Sequence, residues 1–220
     1  MLQDNTKDQW IIWFGGFCGI VSPILTLTMI ITSTIISPWF RWDTNALSEL
    51  GVGEVSLLFN SAVIIGGVLN FLFTLGIREY LPKEKMVKAG VALIMLGSIS
   101  LILVGIFTVS YPILHGIVAL AEFVLGPIGF VLIGYNAKEA TIRNISIATG
   151  IAALISILIF PAILLALPLK VGFAVPELIE ALIVSVWIIF MGTQLLTFKQ
   201  KQHTDFTFSN QIQSIDPQFQ

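Results

Sequence analysis

Charged residues are scarce in this sequence: Asp, Glu, Lys and Arg together make up 11% of its 220 residues, against roughly a quarter in an ordinary soluble domain. Hydrophobic residues make up 56%, and the mean hydropathy is +0.94. With so little charge, a water-exposed surface would carry large apolar patches, which excludes a soluble globular protein. The same apolar content excludes a disordered chain. The composition therefore predicts a helical, multi-pass membrane protein.

Residues with catalytic or ligating chemistry are also few. Cys18 is the single cysteine, and His115 and His203 are the two histidines, so an internal disulfide and a three-histidine zinc site are both excluded. The sequence contains no glycine-rich phosphate loop, no His-Glu-x-x-His motif and no Gly-x-Ser-x-Gly motif. We therefore assign no metal site, leave the cofactor unknown, and favour a protein that is not an enzyme without deciding the question.

Six charge-poor runs are long enough to cross a membrane. A bilayer core about 30 Å thick needs roughly 20 apolar residues per helix, and the sustained alternation of barrel strands is missing. The predicted spans are residues 10–36, 55–77, 87–109, 116–135, 145–167 and 175–197. We expect an all-α transmembrane bundle of six spans within residues 1–198, followed by a polar, disordered cytoplasmic tail over residues 199–220.

The distribution of basic residues predicts the orientation of these spans. Short loops rich in Lys and Arg stay in the cytoplasm. Nine of the eleven basic residues lie on the side of the two termini, and only Arg41 and Lys170 lie on the other side. Both termini are therefore expected in the cytoplasm, with the protein in the cell membrane.

Acidic residues are concentrated at the opposite, outer mouth of the predicted bundle. The outer loops and the outer halves of the spans hold six acids against two bases; the acids are Asp43, Glu49, Glu54, Glu122, Glu177 and Glu180. A low-dielectric cavity lined with charge of one sign attracts the opposite sign. The outer mouth is therefore expected to attract cations.

Glu122 is the most informative single residue, because only apolar or small residues surround it. It follows His115 by seven positions, which places it about 10 Å away along the same helical face. Gly126 and Gly129 continue that face, and small residues mark close contact with another helix. Glu122 is therefore expected to point inward, where an ionisable group is either functional or a protonated hydrogen-bonding contact between helices.

Two further acids stand at the start of the predicted sixth span. Glu177 and Glu180 follow Pro176, where acidic residues complement the helix dipole. That structural explanation suffices for Glu177, but Glu180 lies a turn deeper and is a candidate ligand.

The remaining candidate site residues lie before and within the second span. Asn60, Gly67 and Thr74 recur every seven residues and define one polar, small face, whereas Asn70 lies on a different face. Residues 42–51 are too polar to enter lipid and read as a short interfacial helix or turn over the outer mouth, ending at a glycine. The predicted ligand-binding residues are Glu122, His115, Asn60, Glu180, Ser48 and Glu49.

Several short motifs resemble one family of prokaryotic membrane proteins, domain-of-unknown-function family 998. The motifs are Leu-Ser-Glu-Leu-Gly at residues 47–51, Phe-Asn at 59–60, Gly67, Arg78, Gly-Ile-Phe at 105–107, His115 and Ala119. The resemblance covers roughly residues 10–197. It implies a six-span fold and raises Ser48, Asn60, Arg78 and His115 as site candidates, but it implies no activity.

Three functions stay open at the level of sequence. The first is binding or transport of a cation, a proton or an amphiphile in an outward-facing acidic cavity. The second is a structural or accessory subunit of a membrane complex. The third is an intramembrane enzyme that modifies lipid, with His115 and Glu122 or Glu180 as acid and base or as ligands of one metal ion. The expected partners are membrane lipids, with a second copy or another membrane protein also open, and no nucleic acid.

Overall fold

Six α-helices dominate the computed structural model of the protein, which describes the backbone of residues 2–158 and 171–215 and the side chains of 9–158 and 171–198. A short 3₁₀ helix, Leu47–Gly51, lies between the first two α-helices. The α-helices are α1 (Leu2–Ile35), α2 (Ser56–Tyr80), α3 (Lys85–Ile106), α4 (Pro112–Asn136), α5 (Ala140–Leu158) and α6 (Ala174–Ile215).

Each of the six helices contains a segment long and apolar enough to cross a membrane. These segments are Gln9–Ile35, Ser56–Tyr80, Lys85–Ile106, Pro112–Asn136, Ala140–Leu158 and Ala174–Phe198. The prediction of an all-α bundle with six spans is confirmed, and the chain is an integral, multi-pass membrane protein. The fifth span begins five residues before its predicted start, and its predicted part over 159–167 lies outside the described residues. The location of the termini and the choice of membrane stay predictions.

The last helix is longer than predicted. It continues from the sixth span to Ile215, through most of the segment for which the sequence predicts a disordered tail. The sequence contains no glycine or proline between Gly192 and Pro217. A helix ordinarily ends at or before the residue preceding a proline, so the next sequence signal for a helix end is Pro217. The division into a membrane domain and a cytoplasmic tail stays a prediction.

The six helices form a ring in which each helix packs against the next along the chain and α6 closes against α1. Glycines set the closest approaches between neighbours. A Cβ atom on Gly15 would lie 2.7 Å from the Cα atom of Gly76, and one on Gly129 would lie 2.6 Å from the carbonyl oxygen of Gly90. Only glycine allows the backbones of α1 and α2, and of α3 and α4, to approach this closely.

Aromatic side chains fill the middle of the ring. The rings of Phe130 and Trp187 stack with centroids 3.9 Å apart, and Phe73 meets Trp187 edge-on at 6.0 Å. All three are almost completely buried, and the indole Nε1 of Trp187 donates a hydrogen bond to the Ser146 hydroxyl at 2.8 Å. We call Phe73, Phe130 and Trp187 the aromatic plug.

The connection between α1 and α2 lies over one end of the ring. Residues 42–51, which we call the cap segment, are fastened to the start of α6 by two backbone hydrogen bonds. The amide of Gly172 donates to Trp42 O, and that of Ala174 donates to Asn45 O, each at 2.9 Å. The short helix predicted here is present as the 3₁₀ helix, which ends at Gly51 as predicted.

Candidate functional site

A cavity of about 120 Å³ lies inside the ring, beneath the cap segment. On the same measure, one water molecule needs about 10–15 Å³, so the space can hold a small molecule or a head group. Residues from α1, the cap segment, α2, α3, α4 and α6 line it, and most of them are apolar. A mostly apolar cavity with a few converging polar groups is the usual form of a ligand site.

Two glutamates from different helices meet at this cavity. Glu122 comes from α4 and Glu180 from α6, and both line it. Both also line a second cavity of about 40 Å³, which Phe73 and Phe130 of the aromatic plug border on the other side. Glu122 and Glu180 therefore line both cavities, whereas Phe73 and Phe130 line only the smaller one.

Glu180 is the more deeply buried of the two. Only 1% of its surface is exposed, and its Oε1 atom is buried without a hydrogen-bond partner. A buried acceptor that no group satisfies costs about 1–3 kcal/mol. Such an atom lining a cavity marks a position where a ligand donor would be stabilised.

Asn70 is a site residue that the sequence reasoning missed. It lines both cavities, and its Oδ1 atom is buried without a partner. The described residues contain four such orphaned side-chain atoms, the other two being Ser37 Oγ and Asn60 Oδ1. The sequence signal for Asn70 was the single side-chain amide in the apolar run before Phe73. A polar side chain inside a membrane span costs free energy, and such residues are usually functional.

His115 lines the cavity nearer the cap segment, on the same face of α4 as Glu122. Its Nδ1 atom lies 2.8 Å from the carbonyl oxygen of Phe107. Because a carbonyl only accepts, Nδ1 must carry the proton, which leaves Nε2 as the acceptor of the neutral ring. The imidazole thus fixes the connection between α3 and α4 and keeps one nitrogen available.

Glu177 and Glu49 hold the cap segment in place. A carboxylate oxygen of Glu177 accepts a hydrogen bond from the backbone amide of Leu47. Glu49 accepts from the side-chain amide of Asn45 and from the backbone amide of Ala46, the latter at 3.1 Å. Glu177 and Ser48 line the cavity, but Glu49 does not. Its carboxylate is engaged within the cap segment itself.

Asn60 and Arg78 also lie outside the cavity. The side-chain amide of Asn60 donates to Gly51 O at 3.0 Å, so Asn60 fastens the end of the 3₁₀ helix instead of facing Glu122. Arg78 is exposed at the other end of α2, with its Nε atom 3.7 Å from a carboxylate oxygen of Glu79. Of the predicted ligand residues, the structure therefore brings Glu122, His115, Glu180 and Ser48 to one cavity and leaves Asn60 and Glu49 beside it.

Apart from His115, the ionisable side chains that line the cavity are acidic. Three glutamates line it, and no lysine or arginine does so among the side chains of residues 9–158 and 171–198. Within these ranges, no three His, Cys, Asp or Glu side chains come together as a metal-ion site.

Comparison with known proteins identifies a family but no characterised relative. The model of the family described as "Protein of unknown function (DUF998)" matches residues 20–194. No curated protein and no solved structure matches the chain.

Proposed function

The chain belongs to the DUF998 family, and we propose that it binds a cationic amphiphile. The positive head lies between Glu122 and Glu180, and the apolar body lies along the hydrophobic wall of the cavity. In this proposal the ligand enters from the end of the ring that carries the cap segment, and that end faces outward.

The observation that carries the proposal is a pair of carboxyl groups, on the half-buried Glu122 and the buried Glu180, in one cavity that no described lysine or arginine lines. Removing a carboxylate from water is costly unless an opposite charge or hydrogen-bond donors compensate. A bound cation supplies that compensation, and each carboxylate in turn stabilises the cation. Selective affinity for positive charge follows from this arrangement.

The wall of the cavity favours an amphiphile over a small hydrophilic ion. Leu27, Ile30, Val63, Leu101 and Val104 contribute apolar surface to it. A fully hydrated ion would gain nothing from this surface, whereas an alkyl chain is stabilised by about 25 cal/mol for each Å² of apolar area removed from water. The cavity therefore matches a molecule with one charged end and one apolar end.

Two alternatives are less well supported by the contacts. A purely structural carboxyl group would be expected to hydrogen-bond a neighbouring helix, but Glu180 Oε1 has no such partner. A lipid-modifying enzyme would need His115 and Glu122 arranged as an acid and base pair, whereas the Nδ1 atom of His115 lies 2.8 Å from Phe107 O. Binding requires neither of these contacts.

The test compares two ligands of equal chain length with the purified full-length protein in nanodiscs. n-Octylamine, protonated at neutral pH, should bind, and uncharged n-octanol should bind at least about tenfold more weakly. Glu122→Gln and Glu180→Gln should each weaken n-octylamine binding by about tenfold or more, a difference of about 1.4 kcal/mol.

The matched control is Glu54→Gln, which makes the same change at an exposed glutamate near the cap segment. It should leave binding unchanged. Equal binding of the amine and the alcohol, or wild-type affinity in both cavity variants, would overturn the proposal.

A further inference from the structure

The cavity presents hydrogen-bond acceptors as well as negative charge. Two of the four orphaned atoms among the described side chains, Glu180 Oε1 and Asn70 Oδ1, belong to residues that line it. Any cation would balance the negative charge. Unsatisfied acceptors are satisfied only by a group that carries N–H or O–H donors.

We infer that the bound head group is a primary or secondary ammonium, recognised through its N–H donors by Glu180 and Asn70. This inference rests on the proposed function and adds the chemical class of the head. A primary ammonium carries three donors, as the lysine side chain does. It offers one donor each for Glu180 and Asn70 and a third for Glu122.

A quaternary ammonium is the informative competitor, because it has the same charge but no donor. Sites for such heads use the faces of aromatic rings, with tryptophan the best. The aromatic residues that line the larger cavity, within the ranges whose side chains are described, are Phe59 and Phe123. Trp187 lies in the plug, stacked on Phe130 and bonded to Ser146. The site is therefore built to accept hydrogen bonds and not to enclose a methylated head.

The distinction is also energetic. If a trimethylammonium head occupied the cavity, Glu180 Oε1 and Asn70 Oδ1 would stay buried without a donor. A site built to hydrogen-bond a ligand strongly rejects an analogue that lacks the bonding group, because its own polar groups are then left unpaired. We expect discrimination of at least about tenfold between the two heads at equal chain length.

The experiment measures binding of n-octylamine and octyltrimethylammonium to the full-length protein in nanodiscs by calorimetry. The wild type should prefer n-octylamine by about tenfold or more. Asn70→Leu should remove much of this preference by weakening n-octylamine, while binding of octyltrimethylammonium stays within about twofold of wild type. Asn70→Asp, which keeps an acceptor of the same shape, should retain the preference.

The matched control is Asn144→Leu, which makes the same change at an exposed position on α5 and should leave both affinities unchanged. Retained binding of octyltrimethylammonium shows that Asn70→Leu is folded. If the two cations bind the wild type equally, and both bind Glu180→Gln more weakly, the inference is overturned and the proposed function stands. If neither cation binds the wild type, the inference and the proposed function are both overturned.

Discussion

Replacing Glu180 by leucine is expected to stabilise the protein while abolishing its binding of cations. The side chain is 1% exposed and has one oxygen without a partner. A buried, unsatisfied polar atom costs about 1–3 kcal/mol, and leucine has a similar volume without that cost. Glu180→Leu should therefore raise the free energy of unfolding by about 1–3 kcal/mol, which corresponds to several degrees in the melting temperature.

Thermal unfolding of the ligand-free protein in detergent, followed by intrinsic fluorescence, measures this effect. The control is Glu54→Leu, the same substitution at an exposed glutamate, where a change within about 0.5 kcal/mol is expected. A Glu180→Leu variant that melts several degrees below the wild type would refute the reasoning, because it would show that the carboxyl group holds helices together. Residues that raise stability when removed are typical of sites kept for function.

Two further predictions concern the plug and the topology. Ser146→Ala should lower the free energy of unfolding by about 1–3 kcal/mol, because it leaves the indole N–H of Trp187 buried without an acceptor. Ser156→Ala, whose hydroxyl donates to the Ala153 carbonyl within its own helix, should change it much less in the same thermal assay. In a Cys18→Ala background, an impermeant maleimide added outside intact cells should label a cysteine at Thr44 but not one at Lys85. Labelling at the second position alone would reverse the predicted orientation.

The six-span bundle could be predicted because the thickness of the bilayer sets the length of each membrane-spanning helix. Runs of about 20 apolar residues match the thickness of the bilayer, and backbone groups in lipid must be satisfied within a helix. The spacing of His115 and Glu122 placed both on one face of α4, since a seven-residue separation is close to two helical turns. These inferences needed only the local chain.

The choice between Asn60 and Asn70 could not be made in the same way. Periodicity gives the angle between two residues on α2, but not how the helix is rotated within the ring. Packing against α1 and α3 turns Asn70 to the cavity and leaves Asn60 to bind Gly51 O. Similarly, Glu177 accepts from Leu47, which lies 130 positions away in sequence, and no local pattern reveals such a contact.

The first turns of α6 contact both the cap segment and the cavity. Glu177 fastens the cap segment, and Glu180, three residues later on the same rigid helix, lines the cavity. Linkage requires reciprocity: if a ligand at Glu180 shifts the opening equilibrium of the cap by some factor, opening the cap shifts the ligand's affinity by the same factor. A substitution at Glu177, which fastens the cap segment, is therefore expected to change how long a ligand stays bound at Glu180.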